Sequence, residues 1–236
     1  MIQIQEFQGK QFETKEQVFK ALKENKVNLI SLKKSTEKKA DALSVFYSNE
    51  TEKTVNNVVT KEENVGENNP DELTVKVVIN TTNFLDSHGD VHIDGIWNKT
   101  VKDNPTFLHL QEHNRKFEDI ISDDATASLK TISWKSLGYP FAGNTQALIF
   151  DSKILKKRNE FMLNQYKNGW VKNHSCGMRY VKMELALNSE TDFDKEEKAT
   201  WDKYYPTIAN KELADERGYF WAITEAKLIE GSAVVF

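Results

Sequence analysis

Apolar residues at every second position predict a half-buried β-strand in the first third of the chain. Leu73, Val75, Val77 and Ile79 would share one face of a strand over residues 73–80, because successive side chains of a strand point to opposite sides. Further strands are predicted over residues 106–110, 125–134, 146–150, 171–185 and 219–230, with shorter ones over residues 27–32 and 42–47. The chain is therefore expected to contain a substantial sheet.

Helical spacing predicts fewer elements. Thr14 and Gln17 form a capping-box pattern before an apolar stripe, so a first helix is expected over residues 15–25. Later helices are predicted after a cap at Ser152, over residues 191–205 and over residues 210–217. Strands with separated helices and long insertions indicate an α+β fold around an antiparallel sheet or barrel.

Residues 48–71 form a long polar stretch that interrupts these patterns. The stretch has few apolar residues, and such a segment cannot bury enough surface to fold alone. We therefore expect an N-terminal appendage and linker over residues 1–70 and a main domain over residues 71–236. A chain that starts near Asp71 would then still fold.

Composition excludes several classes of protein. The chain has 236 residues, 39% of them hydrophobic, a net charge of −4 and a single cysteine, Cys176. The negative charge argues against a general nucleic-acid binder, since such proteins neutralise phosphates. No apolar run approaches the ~20 residues that cross a bilayer, and the first residues do not form a secretory signal. One cysteine allows no internal disulfide and is typical of a reducing compartment.

Three residues far apart in sequence could form a catalytic triad. Ser175 would be the nucleophile, His113 the base and Glu230 the carboxylate that orients the base. A serine hydroxyl needs a neighbouring imidazole to accept its proton, and the imidazole needs a third group to fix its tautomer. His113 follows an apolar strand at the point where a polar loop begins, which is a common position for catalytic groups. His109 is a rival base, but it lies within the predicted strand.

The position of Glu230 supports its assignment independently. It continues the apolar face of the last predicted strand, which carries Phe220, Ala222, Ala226 and Leu228. A carboxylate on a buried face is costly unless it is paired, and an imidazolium partner would offset that cost. Alternatively, the strand ends before Glu230 and the side chain reaches solvent. His174 is a possible substitute for Glu230 as the third member.

The residues around Ser175 leave a second nucleophile open. Cys176 is adjacent, but in a strand its side chain would point away from the side that Ser175 faces. A structural role in the core is therefore expected for the thiol. Gly177 follows, and a glycine within a strand often marks a bulge or a close backbone approach, which could help to form an oxyanion site.

A different type of chemistry could arise from residues 86–92. Asp86, His88, Asp90 and His92 alternate, so on a strand they would converge on one side and could bind a metal. The sequence from Ser87 to Asp90 is also typical of a turn, which would separate the four side chains.

Four segments in this order resemble the motifs of the tailed-phage prohead (capsid maturation) serine proteases. They are residues 83–92 (Asn-Phe-Leu-Asp-Ser-His-Gly-Asp-Val-His) followed by Gly95, His113, a Ser-x-Gly-Met at residues 175–178, and a Leu-x-Glu-x-Ser-x-Val at residues 228–234. The resemblance covers residues 73–236. It selects His113 over His109 and implies that the acidic residues of the first motif are structural.

The resemblance implies a herpesvirus-protease-like (assemblin-like) fold, with a mainly antiparallel β-barrel core flanked by helices. It also implies a serine endopeptidase with the triad Ser175, His113 and Glu230 and with no cofactor or metal. The substrates would be scaffold, the scaffolding segment of the major capsid protein, and the chain itself, inside the phage procapsid in the bacterial cytoplasm. Since chains of this family usually run past the last strand, an end at Phe236 would indicate trimming or self-processing.

Two alternative functions and the question of self-association stay open at this point. One alternative is a catalytically silent capsid component that keeps the protease fold. The other is a metal-dependent hydrolase that uses the cluster from Asp86 to His92. No nucleic-acid or membrane partner is expected, and the chain could form a homo-oligomer.

Overall fold

The computed structural model describes residues 1–40 and 69–235. In this part of the chain the helices are α1 (Lys15–Glu24), α2 (Lys26–Ser35), α3 (Asn98–Asp103), α4 (Lys156–Lys167), α5 (Lys195–Tyr204) and α6 (Lys211–Arg217). The strands are β1 (Lys38–Lys39), β2 (Glu72–Thr81), β3 (Asp90–His92), β4 (Thr106–Gln111), β5 (Ile120–Ser133), β6 (Asn144–Leu155), β7 (Asn173–Leu187) and β8 (Tyr219–Val234). Short 3₁₀ turns lie at Gln5–Phe7, Phe117–Asp119, Lys135–Leu137, Asp192–Asp194 and Tyr205–Thr207.

The strands form one mixed sheet of eight strands in the order β1-β7-β8-β4-β5-β6-β2, with β3 paired to β8 outside this path. The pairs β4–β5, β5–β6 and β6–β2 are antiparallel, whereas β3 and β4 run parallel to β8. The predicted α+β class is confirmed. The predicted barrel is wrong, because closure would require the two ends of the sheet, β1 and β2, to pair with each other.

The antiparallel ladder between β2 and β6 explains why one helix was predicted too early. The strand predicted over residues 73–80 is confirmed by β2, which pairs with β6 from Glu72↔Leu155 onwards. Ser152 therefore lies within β6 opposite Val75, and it does not cap a helix. The continuous backbone pairing outweighs the local capping signal, and α4 begins only at Lys156.

The N-terminal helices also differ in part from the sequence pattern. Helix α1 is confirmed, and its N-cap Thr14 accepts a hydrogen bond from the Gln17 N–H. The strand predicted over residues 27–32 is wrong, since these residues belong to α2. Helical spacing places Leu29 and Lys33 on one buried side of α2, so tertiary contacts outweigh local strand propensity. The strand predicted over residues 42–47 lies outside the described residues.

Contacts divide the chain into two compact units. The first contains Met1–Glu37, Thr82–Ile96 and Arg179–Ala226, and the second contains Lys38–Thr81, Trp97–Met178 and Lys227–Phe236. Residues 1–37 therefore belong to the same compact unit as residues 82–96 and 179–226.

The first unit has an apolar cluster and a buried ion pair. The cluster includes Leu85, Val91, Trp201, Ile208 and Phe220.

The ion pair joins the N-terminal residues to this unit. Lys33 Nζ lies 2.5 Å from Asp90 Oδ1, and the Tyr180 hydroxyl donates to Asp90 Oδ2 at 2.9 Å. Because Asp90 is fully buried, these two donors compensate for the loss of water around its carboxylate.

The second unit contains β2, β4, β5, β6 and α4, and the three sequence-predicted catalytic residues all lie in this unit. Phe107 stacks on Phe150 at 5.9 Å between ring centroids. Gly231 in β8 lies against the Phe150 ring, where an added Cβ would lie 2.5 Å from Cε2. No helix in the described segments is both long and apolar enough to cross a membrane.

Candidate active site

His113 lies in a tight turn that follows β4. Both Glu112 (φ 51°) and His113 (φ 59°) adopt left-handed backbone conformations, which are uncommon for residues other than glycine. Strand β8 stabilises this turn, because the Glu112 N–H donates to the Ala233 carbonyl at 2.9 Å and the His113 N–H donates to Ser232 Oγ at 3.2 Å. The backbone carbonyl of Ala233 and the side-chain hydroxyl of Ser232, both in β8, therefore hold the turn that carries the imidazole.

Glu230 is the direct partner of that imidazole. Its Oε1 lies 2.7 Å from His113 Nδ1, and the side chains are 2% and 9% exposed, respectively. Glu230 lies in β8, and His113 follows the end of β4. These two strands are parallel neighbours, with Leu110 of β4 paired to Ser232 of β8. A carboxylate at Nδ1 favours the tautomer that carries its proton there, and Nε2 is left as the basic nitrogen.

Ser232 is a further residue of the site whose role the sequence analysis missed. Its hydroxyl donates to Glu230 Oε2 at 2.5 Å and also accepts the His113 N–H. Both carboxylate oxygens of Glu230 are therefore bonded, which fixes the carboxylate plane. The sequence did contain a signal for this residue. In a strand, residues two positions apart face the same side, so Ser232 shares a face with Glu230.

Ser175 lies near the start of β7 and is 4% exposed. Its hydroxyl donates to the backbone carbonyl of Ala40 at 2.8 Å. Among the described residues, no hydrogen bond joins Ser175 to His113. The structure thus brings together the base and the carboxylate of the predicted triad, while the predicted nucleophile is hydrogen-bonded elsewhere.

Cys176 is buried beside Ser175. Burial, together with the negative charge of Glu230, raises the pKa of its thiol well above the usual range. Since the thiolate is the reactive form of cysteine, this environment disfavours Cys176 as a nucleophile.

His174 belongs to a separate buried network. Its Nε2 lies 2.7 Å from the Tyr166 hydroxyl, which lies 3.1 Å from His109 Nε2. His109 Nδ1 is in turn 2.9 Å from Ser152 Oγ. His174 thus contacts Tyr166, and the position beside His113 Nδ1 belongs to Glu230.

The environment of this network keeps both imidazoles neutral. Burial lowers the pKa of His109 to about 3. Burial, with a contribution from His109, lowers the pKa of His174 well below its ordinary value. His109, the rival base in the sequence, is therefore part of the core.

The four residues of the possible metal cluster do not converge. Asp90 pairs with Lys33, Asp86 accepts the Asp90 N–H at 2.8 Å, and the His88 side chain is 47% exposed. The segment turns at Gly89, where φ is 74°, so the alternation of a strand is lost. Within residues 1–40 and 69–235, no group of three or more His, Cys, Asp or Glu side chains is placed to hold a metal ion.

Comparison with known proteins gives no family assignment for this site. No protein-family model, curated protein sequence or solved structure matches the chain.

Proposed function

We propose that this chain is a serine endopeptidase of the tailed-phage prohead protease type, with the related assemblin-like fold. The observation that carries the proposal is the bond between Glu230 and His113, which brings together residues 117 positions apart in the chain. Ser232 orients the same carboxylate. A buried carboxylate that fixes one imidazole tautomer is the arrangement that general-base catalysis by histidine requires.

In the proposed reaction, His113 Nε2 takes the proton of the Ser175 hydroxyl as Oγ bonds to the carbonyl carbon of the substrate. The tetrahedral intermediate collapses when the C–N bond breaks, and the imidazolium gives its proton to the leaving amine. Water then attacks the acyl-enzyme, His113 takes a proton from that water, and Ser175 regains its own. Glu230 stabilises the imidazolium in both halves of the reaction, and these steps require no cofactor.

The proposed substrates follow from the ordered sequence motifs. They are scaffold, the scaffolding segment of the major capsid protein, and the chain itself, cleaved within the procapsid in the host cytoplasm. This choice of substrates is supported by the order of the four motif segments, three of which contain His113, Ser175 and Glu230, respectively.

The test is incubation of the purified chain with its major capsid protein, followed by mass spectrometry of the fragments. We expect wild-type chain to cleave and Ser175→Ala to be inactive. Ser136→Ala is a matched control, because Ser136 is an exposed serine in a turn. Equal cleavage by wild type and Ser175→Ala would contradict the proposal.

A catalytically silent capsid component is the second candidate, and one observation favours it. The Ser175 hydroxyl donates to Ala40 instead of to His113. A fluorophosphonate probe separates the two candidates, since it labels only an activated serine. Labelling of wild type that Ser175→Ala abolishes would support the peptidase. No labelling of wild type or of Ala40→Pro, which removes the Ala40 N–H that bonds to Cys176, would support the silent component.

A further inference from the structure

Strand β1, which has only two residues, covers one edge of β7 immediately after Ser175. Lys38 pairs with Met178, and Lys39 pairs with Gly177, in antiparallel register. The Ala40 N–H continues this pairing and donates to the Cys176 carbonyl at 3.1 Å. Because β1 is the last strand at this end of the sheet among residues 1–40 and 69–235, this part of the chain would leave the edge of β7 free without it.

The backbone of Ala40 also contacts the predicted nucleophile. The hydroxyl of Ser175 donates to the Ala40 carbonyl oxygen at 2.8 Å. An extended peptide that is to be cleaved must likewise pair with the enzyme backbone and bring a carbonyl to the serine. Residues 38–40 therefore pair with β7 as an added extended peptide would, with the Ala40 carbonyl hydrogen-bonded to the Ser175 hydroxyl.

We propose that the edge of β7 at Cys176–Met178 is a binding site for extended peptides, and that Lys38–Ala40 occupies it as an intramolecular competitor. This inference rests on the proposed peptidase function. The competing ligand is an unfolded segment of another protein chain, which would add to the sheet in place of β1. While Lys38–Ala40 is bound, the Ser175 hydroxyl is held by Ala40, and its release is required before it can donate to His113.

The side chains of Lys38–Ala40 also indicate which peptides can bind at the edge of β7. Ala40 is 8% exposed, so the position whose carbonyl reaches Ser175 accommodates a small side chain. Lys39 is exposed, so the preceding position tolerates a long polar one. A peptide with alanine at the first of these positions is therefore the matching ligand.

The pairing between β1 and β7 is short enough for another peptide to displace β1. β1 has only two residues, whereas strands in globular proteins usually have about five or six. Tethering makes up for the short contact, because a linked segment acts at an effective concentration in the millimolar range. A free peptide can then compete only when the tethered segment is weakened.

The test measures peptide binding and does not depend on catalysis. A fluorescein-labelled, C-terminally amidated peptide with the sequence of residues 36–40 is titrated with the full chain, and its anisotropy is followed. Ala40→Pro removes the N–H that donates to Cys176. We expect this variant to bind the peptide at least about tenfold more tightly than wild type, because the competitor is weakened.

Lys39→Pro is the matched control. Hydrogen-bonded and non-hydrogen-bonded pairs alternate in an antiparallel ladder, so the bond of Ala40 turns the Lys39 N–H away from β7. This control should bind the peptide like wild type. Equal affinity of all three proteins would overturn the inference. If Ala40→Pro does not fold, Ala40→Leu, which is too large for the buried position, is compared in its place.

Peptidase activity of the same proteins separates this inference from the proposed function. Tighter binding without any cleavage would leave the peptide edge intact and overturn the peptidase. If wild type cleaves the substrate, and Ala40→Pro neither cleaves it faster nor binds the peptide more tightly, the peptidase proposal stands. The role of Lys38–Ala40 is then overturned.

Discussion

Glu230 receives a hydrogen bond from His113 across 2.7 Å, although 117 positions separate the two residues in the chain. Glu230 is almost fully buried, and its second oxygen is bonded to Ser232. The pair is therefore a fixed unit in which the carboxylate has no alternative contact with bulk water.

Replacement of Glu230 by Gln should lower kcat and leave KM nearly unchanged. Gln keeps the shape but removes the charge that stabilises the imidazolium, and that interaction is made mainly in the transition state. By analogy with other triads we expect a loss of about 10²–10⁴-fold, measured as initial rates on a capsid-protein peptide. Ser232→Ala should lose less, since it leaves the charge in place. A kcat within twofold of wild type for Glu230→Gln would remove this residue from the mechanism.

Cys176 should be chemically inert in the folded chain. Its buried thiol has a raised pKa, so iodoacetamide at neutral pH should modify it only after unfolding, because the thiolate is the species that reacts. Cys176→Ala should keep most of the peptidase activity. Rapid alkylation of native protein, or loss of activity in Cys176→Ala with activity retained in Ser175→Ala, would assign the nucleophile to the thiol instead.

The buried His109 should make the fold sensitive to acid. Its pKa is about 3 in the folded chain and about 6.5 when unfolded. At pH values between these two pKa values, only the unfolded state binds the proton. The free energy of unfolding is therefore highest above about pH 6.5 and decreases as the pH falls. From pH 7.5 to pH 5.0 the free energy of unfolding should drop by about 2 kcal/mol on account of this residue.

Urea titrations of wild type and His109→Gln at the two pH values isolate that contribution. The variant is expected to be less stable at pH 7.5, where it loses the bonds to Ser152 and Tyr166. The difference between the two proteins should shrink at pH 5.0. An equal difference at both pH values would show that burial of His109 is not coupled to protonation.

Lys33→Met should destabilise the first unit. It leaves the buried carboxylate of Asp90 with the Tyr180 hydroxyl but without its cation. Removal of one member of a buried ion pair typically costs about 3–5 kcal/mol. Thermal and urea unfolding should show a loss of this size, and the double variant Lys33→Met/Asp90→Asn should recover part of it. If both variants are as stable as wild type, residues 1–37 contribute little to this unit.

The elements that the sequence predicted correctly are those determined by their own local pattern. Alternation is sufficient for β2, and the Thr14 cap with an apolar stripe is sufficient for α1. The same periodicity placed Glu230 on a buried face. In these cases each residue's environment follows from its position within one element.

The errors concern contacts between distant segments. Ser152 lies in a strand because β2 pairs with β6 as far as Leu155. Residues 27–32 are helical because one side of α2 is buried. The bond from Ser175 to Ala40 depends on a two-residue strand, which is too short to leave a periodic pattern. Such pairings depend on the tertiary structure, and the sequence pattern of either segment alone does not contain them.

The parallel pairing of β4 with β8 has a consequence for the timing of synthesis. Glu230 is added 117 residues after His113, which takes about 6–23 seconds at about 5–20 residues per second. In the later part of that interval, after Ser175 has been added, a nascent chain contains His113 and Ser175 but no carboxylate for the base. Proteolysis by the proposed triad would thus be delayed until almost the entire described chain has left the ribosome.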